Sequence, residues 1–129
     1  MSTIERFAGS ARGRSRAVAF DRLVWVVANS TRPGDDFAAQ VNETLELLEQ
    51  ALREAGSARS ALLSVQVYLV DMAQKPEFDA RWNEWIGPAA SWPQRVCIEA
   101  GLTAGLLVEL QAIAARIDGE GAEASSSRG

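Results

Sequence analysis

The chain has 129 residues, a net charge of −4, 47% hydrophobic residues and 23% charged residues. This length and composition fit one globular domain with its own apolar core. The acidic balance, without a long basic block, argues against a nucleic-acid partner.

The chain contains no histidine and a single cysteine, Cys97. A zinc site is therefore not expected, and no metal or other cofactor is predicted. One cysteine cannot form an intrachain disulfide, no apolar run approaches the length of a membrane span, and residues 1–16 lack the apolar core of a signal peptide. We expect a cytoplasmic protein with no membrane contact.

The N-terminal third favours strands. Residues 1–10 give a weak strand signal, which leaves an additional first strand open. Arg16 to Val27 predicts a β-hairpin that turns at Asp21-Arg22. Arg12, Arg14 and Arg16 would share one face if they lay on a strand, and an exposed edge is the favoured reading of that spacing.

The clearest helix is predicted to begin after Asp35 or Asp36, either of which can cap it, and to end before Gly56. Its apolar residues recur every three or four positions: Phe37, Val41, Leu45, Leu48, Leu52 and Ala55. Its polar residues are expected mostly on the opposite face: Gln40, Glu43, Glu46, Gln50 and Arg53. This pattern indicates a helix of roughly 20 residues that packs on a sheet.

Leu62 to Val70 alternates as a strand does, with Leu63, Val65, Val67 and Leu69 predicted to face the helices and Leu62 the other side. A second helix is expected from Pro76. Its aromatic residues, Phe78, Trp82 and Trp85, are interpreted as a core stripe rather than a ligand box.

Two final strands are predicted, 94–100 and 106–114, joined by 101–105, and the Ser-rich end reads as a flexible tail. The domain would therefore span residues 1–117 and the tail residues 118–129. The order β-β-α-β-α-β-β gives a two-layer α+β fold with both helices on one face of the sheet. Association of several copies would bury the uncovered face.

The final two strands could form a hairpin centred on Thr103. In that register Arg95 and Glu109 become diagonal neighbours on the uncovered face, with Cys97 opposite Glu109. Val96, Ile98, Val108 and Leu110 would then face the helices. An arginine so placed could bind a carboxylate, and a glutamate beside it could position water. A salt bridge between the two residues at a subunit interface is the alternative.

Four stretches resemble the Rid (YjgF-type) family of imine and enamine deaminases. Trp92 to Ala100 is similar to its Pro-x-Arg signature and the strand that follows. The segment from Leu102 to Ala114 resembles its closing strand, Gln40 to Gly56 its first helix, and Val67 to Met72 its central strand. The resemblance covers about residues 14–115.

This resemblance implies a chorismate-mutase-like fold with a mixed sheet, a homotrimer, and ligand clefts between subunits. It also implies hydrolysis of reactive 2-imino and 2-enamino acids to 2-keto acids and ammonia, without a cofactor. Arg95 would hold the carboxylate of a small metabolite and Glu109 would lie near the water. Cys97 would line the pocket without acting as a nucleophile, because no histidine or lysine adjoins it in sequence.

The sequence also departs from the family pattern. Arg14 replaces an aromatic residue, Val27-Ala28-Asn29 replaces Ser-Gly-Gln, and the asparagine usual after Phe78 is not aligned. Asn29 is expected to contact the substrate, while Arg14 either does the same or forms a salt bridge. Two alternatives to the deaminase stay open: a non-catalytic metabolite-binding or regulatory trimer, and a hydrolase for a larger or more anionic substrate.

Overall fold

The computed structural model describes residues 3–117. Its strands are β1 (Ile4–Ala8), β2 (Ser15–Phe20), β3 (Leu23–Asn29), β4 (Leu62–Leu69), β5 (Gln94–Glu99) and β6 (Val108–Ala115), and its helices are α1 (Phe37–Glu54) and α2 (Lys75–Ile86). The predicted α+β order is confirmed, with the additional strand β1 at its start. The predicted tail, residues 118–129, lies outside the described residues.

The strands form a mixed six-stranded sheet in the order β1-β2-β3-β6-β4-β5. β4 and β5 are parallel, and every other described pair is antiparallel. The parallel pair follows from its connection, because α2 crosses over between the two strands and returns the chain to the same end of the sheet. β5 therefore forms one edge of the sheet, and β6 lies in its interior.

The predicted hairpin of β5 and β6 is wrong, because β4 lies between them. Residues 100–107 carry the chain past β4 instead of turning it back. Burial explains the placement: Val108, Leu110 and Ala114 are almost fully buried, as suits an interior strand. In β5, by contrast, Val96 and Ile98 are 47% and 41% exposed, which suits an edge.

The β2–β3 hairpin is confirmed, with Phe20 opposite Leu23. Asp21 begins its two-residue turn with a φ of 57°. Two-residue turns of this kind require left-handed backbone, which aspartate tolerates better than most residues.

Helix α1 begins and ends where the sequence predicts. The Asp36 carboxylate accepts a hydrogen bond from the Ala39 backbone N–H at 2.8 Å, and Gly56 follows the helix with a φ of 81°. All of its predicted apolar positions are buried: Phe37, Val41, Leu45, Leu48, Leu52 and Ala55. They cover the sheet and form the centre of the core.

Gln40 was expected on the polar face of α1, but it is fully buried. Its Nε2 donates to the carbonyls of Asp35 and Gly105 at 2.9 and 2.8 Å, and its Oε1 accepts from the Leu107 N–H at 2.9 Å. One side chain thereby satisfies three backbone groups of two loops. The glutamine fixes the β5–β6 connection to the helix layer.

The predicted faces of β4 are confirmed from Val65 onward but are reversed for Leu62 and Leu63. Val65, Val67 and Leu69 are buried, whereas Leu63 is 48% exposed and Leu62 is buried in its place. The pairing of β4 with β6 shifts between Leu62 and Ser64, and such an irregularity reverses the faces of the residues before it.

The interpretation of the α2 aromatic residues as core is confirmed for Phe78 and Trp82, which are buried and stacked. Trp85 is partly buried and packs against Trp82 and the core. Together with α1, these residues cover one face of the sheet. The other face, called the open face below, carries the alternate residues of the strands.

Candidate functional site

Arg95 lies on β5 opposite Val65 of β4, and both residues face the helix layer. Its guanidinium carbon is 5.4 Å from the ring centroids of both Phe78 and Trp82. Its Nη2 donates to Asp79 Oδ1 at 2.6 Å. With 18% of its side chain exposed, Arg95 is held by two rings and one carboxylate at the edge of the sheet.

Asp79 also accepts a hydrogen bond from Lys75 at 2.8 Å, through its other oxygen. Burial acts to raise the pKa of Asp79, but the hydrogen bonds from Lys75 and Arg95 outweigh it, and the pKa lies below its ordinary value. The three residues form a charge cluster, called here the edge cluster: Lys75, Asp79 and Arg95. It carries two positive charges and one negative charge.

Cys97 follows Arg95 on the same face of β5, and its sulfur lies 3.9 Å from that of Met72. Burial raises the pKa of the Cys97 thiol, although the positive charges of Arg95 and Lys75 act in the opposite direction. The thiol is therefore uncharged at neutral pH, which fits a residue that packs beside the edge cluster better than a nucleophile.

Glu109 lies on the open face, in a row that crosses four strands. The row consists of Asn29, Glu109, Tyr68 and Ile98, each opposite the next. The Asn29 side-chain amide donates to Glu109 Oε1 at 3.1 Å. No hydrogen bond from residues 3–117 reaches the other oxygen of the carboxylate, so it can accept one from a water or a ligand.

A cavity of about 360 Å³ opens beside Asn29. Its polar lining includes Ser10, Arg14, Arg16, Asn29, Thr31 and Gln50. Arg14 is exposed in the loop between β1 and β2, next to Gly13, whose φ is 85°. Arg14 and Asn29, the two residues predicted to contact substrate from the N-terminal third, therefore line the same cavity.

The expected arginine edge is wrong in detail. Arg12 and Arg14 lie in a loop instead of on a strand, and Arg16 alone belongs to β2. Arg16 forms an ion pair with Glu54 at the end of α1. The three arginines therefore do not share a strand face, because the strand begins only at Ser15.

The predicted neighbourhood of Arg95 and Glu109 is also wrong. The two residues lie on opposite faces of the sheet and on strands separated by β4. Arg95 is level with Val65, whereas Glu109 is level with Tyr68, three residues further along β4. Arg95 and Cys97 exchange faces with Val96 and Ile98 relative to the prediction, because β5 pairs with β4 and not with β6.

Asp79 and Lys75, the partners of Arg95, were not predicted from the sequence. Their spacing of four residues at the start of α2 is a signal that they form a pair on its surface. No contact was predicted for Glu43 either, which accepts hydrogen bonds from Ser30 at 2.6 Å and from Thr31. These bonds anchor the turn after Asn29 to α1.

Two features are absent from residues 3–117. In that range no three histidine, cysteine, aspartate or glutamate side chains come together as a metal site would require. No helix within it is long and apolar enough to cross a membrane.

A two-layer α+β domain with these features matches one known family. The family model described as Endoribonuclease L-PSP covers residues 15–116. Proteins called "RutC family protein" from Haemophilus influenzae and Haemophilus ducreyi are 33% and 32% identical over 63 and 72 residues, which is 49% and 56% of this chain. These alignments span 53% and 61% of the length of the two relatives.

Solved structures agree over nearly the whole fold. A member of the YjgF protein family from Neisseria meningitidis superposes with a TM-score of 0.80 at 28% identity, over 90% of this chain and 97% of its own. A YjgF-family protein from Mycobacterium tuberculosis gives 0.78 at 28% identity, over 88% and 99%. The chain belongs to the Endoribonuclease L-PSP family, which is also known as the YjgF or Rid family.

Proposed function

We propose that the protein hydrolyses small 2-imino and 2-enamino acids to 2-keto acids and ammonia. The observation that carries this proposal is the state of Arg95, which is held in one orientation by two rings and Asp79. Within residues 3–117, Arg95 forms a side-chain hydrogen bond through Nη2 alone. Its Nε and Nη1 are therefore available for a substrate carboxylate. Family membership supports the same chemistry.

The reaction requires little beyond positioning. The carbon of a protonated imine is already electrophilic, so a water held beside it can add without a metal ion or a covalent intermediate. Glu109 would accept a proton from that water and return it to the nitrogen. The C–N bond then breaks and ammonia leaves, while the carbinolamine hydroxyl gives its proton to Glu109 and becomes the carbonyl of the keto acid. Glu109 passes this proton to the departing ammonia, which is released as ammonium.

Asn29 would position the general base. It holds Oε1 of Glu109 at 3.1 Å, which leaves Oε2 to bind the water. Arg14, from the same cavity wall as Asn29, would meet the substrate at its outer end, and Cys97 would line the carboxylate end beside Arg95.

Arg95 and Glu109 cannot meet within one protomer, since they lie on opposite faces of its sheet. We therefore propose a homotrimer whose clefts combine the edge cluster of one subunit with the Asn29–Glu109 pair of its neighbour. The open face supports this assembly, because Val27, Val96 and Ile98 are 41%, 47% and 41% exposed on it. A cytosolic location remains part of this proposal.

The test is imine hydrolysis by the purified protein. An amino-acid oxidase generates 2-imino acids in the cuvette, and their decay is followed with wild type, Arg95→Ala and Arg53→Ala. Arg53, on the exposed side of α1 with 67% of its side chain accessible, is the matched control. We expect wild type and Arg53→Ala to accelerate decay equally, and Arg95→Ala to lose roughly 10- to 100-fold, the value of a charge-assisted contact.

The alternative is a non-catalytic trimer that binds the same carboxylates. Arg14 in place of an aromatic residue, together with Val27-Ala28-Asn29, favours it. Keto-acid binding that needs Arg95 but comes with no acceleration of imine decay would establish this alternative and refute the deaminase. The endoribonuclease named in the family description is disfavoured for this chain by its net charge of −4.

A further inference from the structure

Arg95 alone could bind a carboxylate, but the edge cluster adds a second charge pair, Lys75 and Asp79. We infer that Asp79 and Lys75 set the charge of the ligand that Arg95 accepts, so that this site selects small monocarboxylates over dicarboxylates. The inference rests on the proposed function only in taking Arg95 as the carboxylate-binding residue.

The geometry places all three charges around one point. Asp79 divides its carboxylate between Arg95, at 2.6 Å, and Lys75, at 2.8 Å. The side chains of Arg95 and Asp79 are 18% and 28% exposed, so water screens the contact between them only in part. A ligand bound to the remaining nitrogens of Arg95 would therefore lie close to the negative charge of Asp79.

Charge balance then decides which ligand fits. Arg95 and Lys75 together carry two positive charges and Asp79 one negative charge, which leaves a net charge of +1. A monocarboxylate neutralises the edge cluster. A dicarboxylate leaves one negative charge in excess, which Asp79 repels. Arg14 and Glu109, which the proposed cleft adds, carry opposite charges that cancel in this sum.

The position of Lys75 does not serve the helix. Lys75 is the first residue of α2, where the helix dipole disfavours a positive charge. It also precedes its acidic partner by four residues, the less favourable order for a helical ion pair. A pair in the order that stabilises the helix less is consistent with a role toward Arg95 and its ligand.

The experiment compares two stable keto acids that differ in one group. 2-Oxopentanoate ends in a methyl group and 2-oxoglutarate in a carboxylate, and the Kd of each is measured by calorimetry at low salt. The proteins are wild type, Asp79→Asn, Lys75→Met and, as matched control, Glu77→Gln. Glu77 is an exposed acid of the same helix turn that pairs with Arg81 at 3.5 Å.

We expect wild type and Glu77→Gln to prefer 2-oxopentanoate to the same extent. Asp79→Asn should shift the ratio of the two Kd values about tenfold toward 2-oxoglutarate, because it removes the repelling charge. Lys75→Met should shift the ratio the other way. Circular dichroism confirms that each variant is folded.

A purely structural role for Asp79 would weaken both ligands equally, and an unchanged ratio in both variants would overturn the inference. Imine turnover is measured on the same samples. If the ratio of the two Kd values shifts while imine hydrolysis is absent, the selectivity inference is supported and the proposed deaminase activity is refuted. If the wild type binds neither keto acid, Arg95 is no carboxylate site and both proposals fail.

Discussion

The two faces of the sheet differ in what they contact. The covered face packs aliphatic residues of β3, β4 and β6 against two helices, with the edge cluster at its border. The open face alternates exposed apolar residues with a polar centre at Glu109, Gln111 and Gln66. One face is completed by the chain itself, whereas we propose that the other is covered by a second copy, and the candidate site has a part on each.

The largest effect should come from neighbouring residues of β6 on opposite faces. Leu110 is fully buried, so Leu110→Ala should lower the free energy of unfolding by about 3 kcal/mol through lost burial and a residual cavity. Gln111→Ala, one residue further, should change it by less than about 0.5 kcal/mol. Urea denaturation measures both, and equal losses would contradict the assignment of faces.

A substitution on the open face should act on association. Ile98→Lys places a charge on an exposed apolar position of β5, and we expect it to weaken self-association by about 2 kcal/mol per copy. Ala39→Lys, which adds the same charge to the exposed side of α1, is the control. Sedimentation velocity reads the result, and an unchanged oligomer in Ile98→Lys would exclude this face as the interface.

The smallest effect concerns the turn that joins β3 to α1. Hydrogen bonds from Ser30 and Thr31 lower the pKa of Glu43 more than burial raises it. A lowered folded pKa gives stability that is present above the ordinary value of 4.5 and lost as the pH falls through the folded value. Ser30→Ala should therefore cost about 1 kcal/mol at pH 7.

The difference between wild type and Ser30→Ala should shrink as the pH falls from 4.5 through the lowered pKa of Glu43 in the folded protein. Thermal unfolding at pH 7 and pH 3 measures it. A cost that is the same at both values would show that the Ser30–Glu43 bond does not depend on the charge of Glu43.

The sequence predicts the helices and strands of this fold better than it predicts which strands pair with each other. The period of α1 and its cap at Asp36 are local, and the structure confirms both. The faces of β5 depend on which strand pairs with it, and alternation fits either face. Arg95 and Glu109 were therefore assigned to one face, although the parallel β4–β5 pairing puts them on two.

Buried polar contacts are the second limit on prediction from the sequence. Gln40 reads as a surface residue in the pattern of α1, and only the loops that fold over it explain its burial. The role of Asp79 likewise depends on its hydrogen bond from Arg95, which is 16 positions away in the chain. In both cases the partner is distant in sequence, where periodicity carries no information.

We propose that Arg95 and Glu109 act in one site although no single protomer brings them together. Mixing two variants of strongly reduced activity, Arg95→Ala and Glu109→Gln, tests it directly. In trimers assembled at random from equal amounts, about a quarter of the clefts would receive an intact Arg95 from one subunit and an intact Glu109 from its neighbour.

We predict that imine hydrolysis, strongly reduced in each variant alone, returns to about a quarter of the wild-type rate after mixing, unfolding and joint refolding. Native mass spectrometry confirms that mixed trimers form. Mixed trimers without activity, beside active refolded wild type, would contradict the claim that the site is shared between subunits.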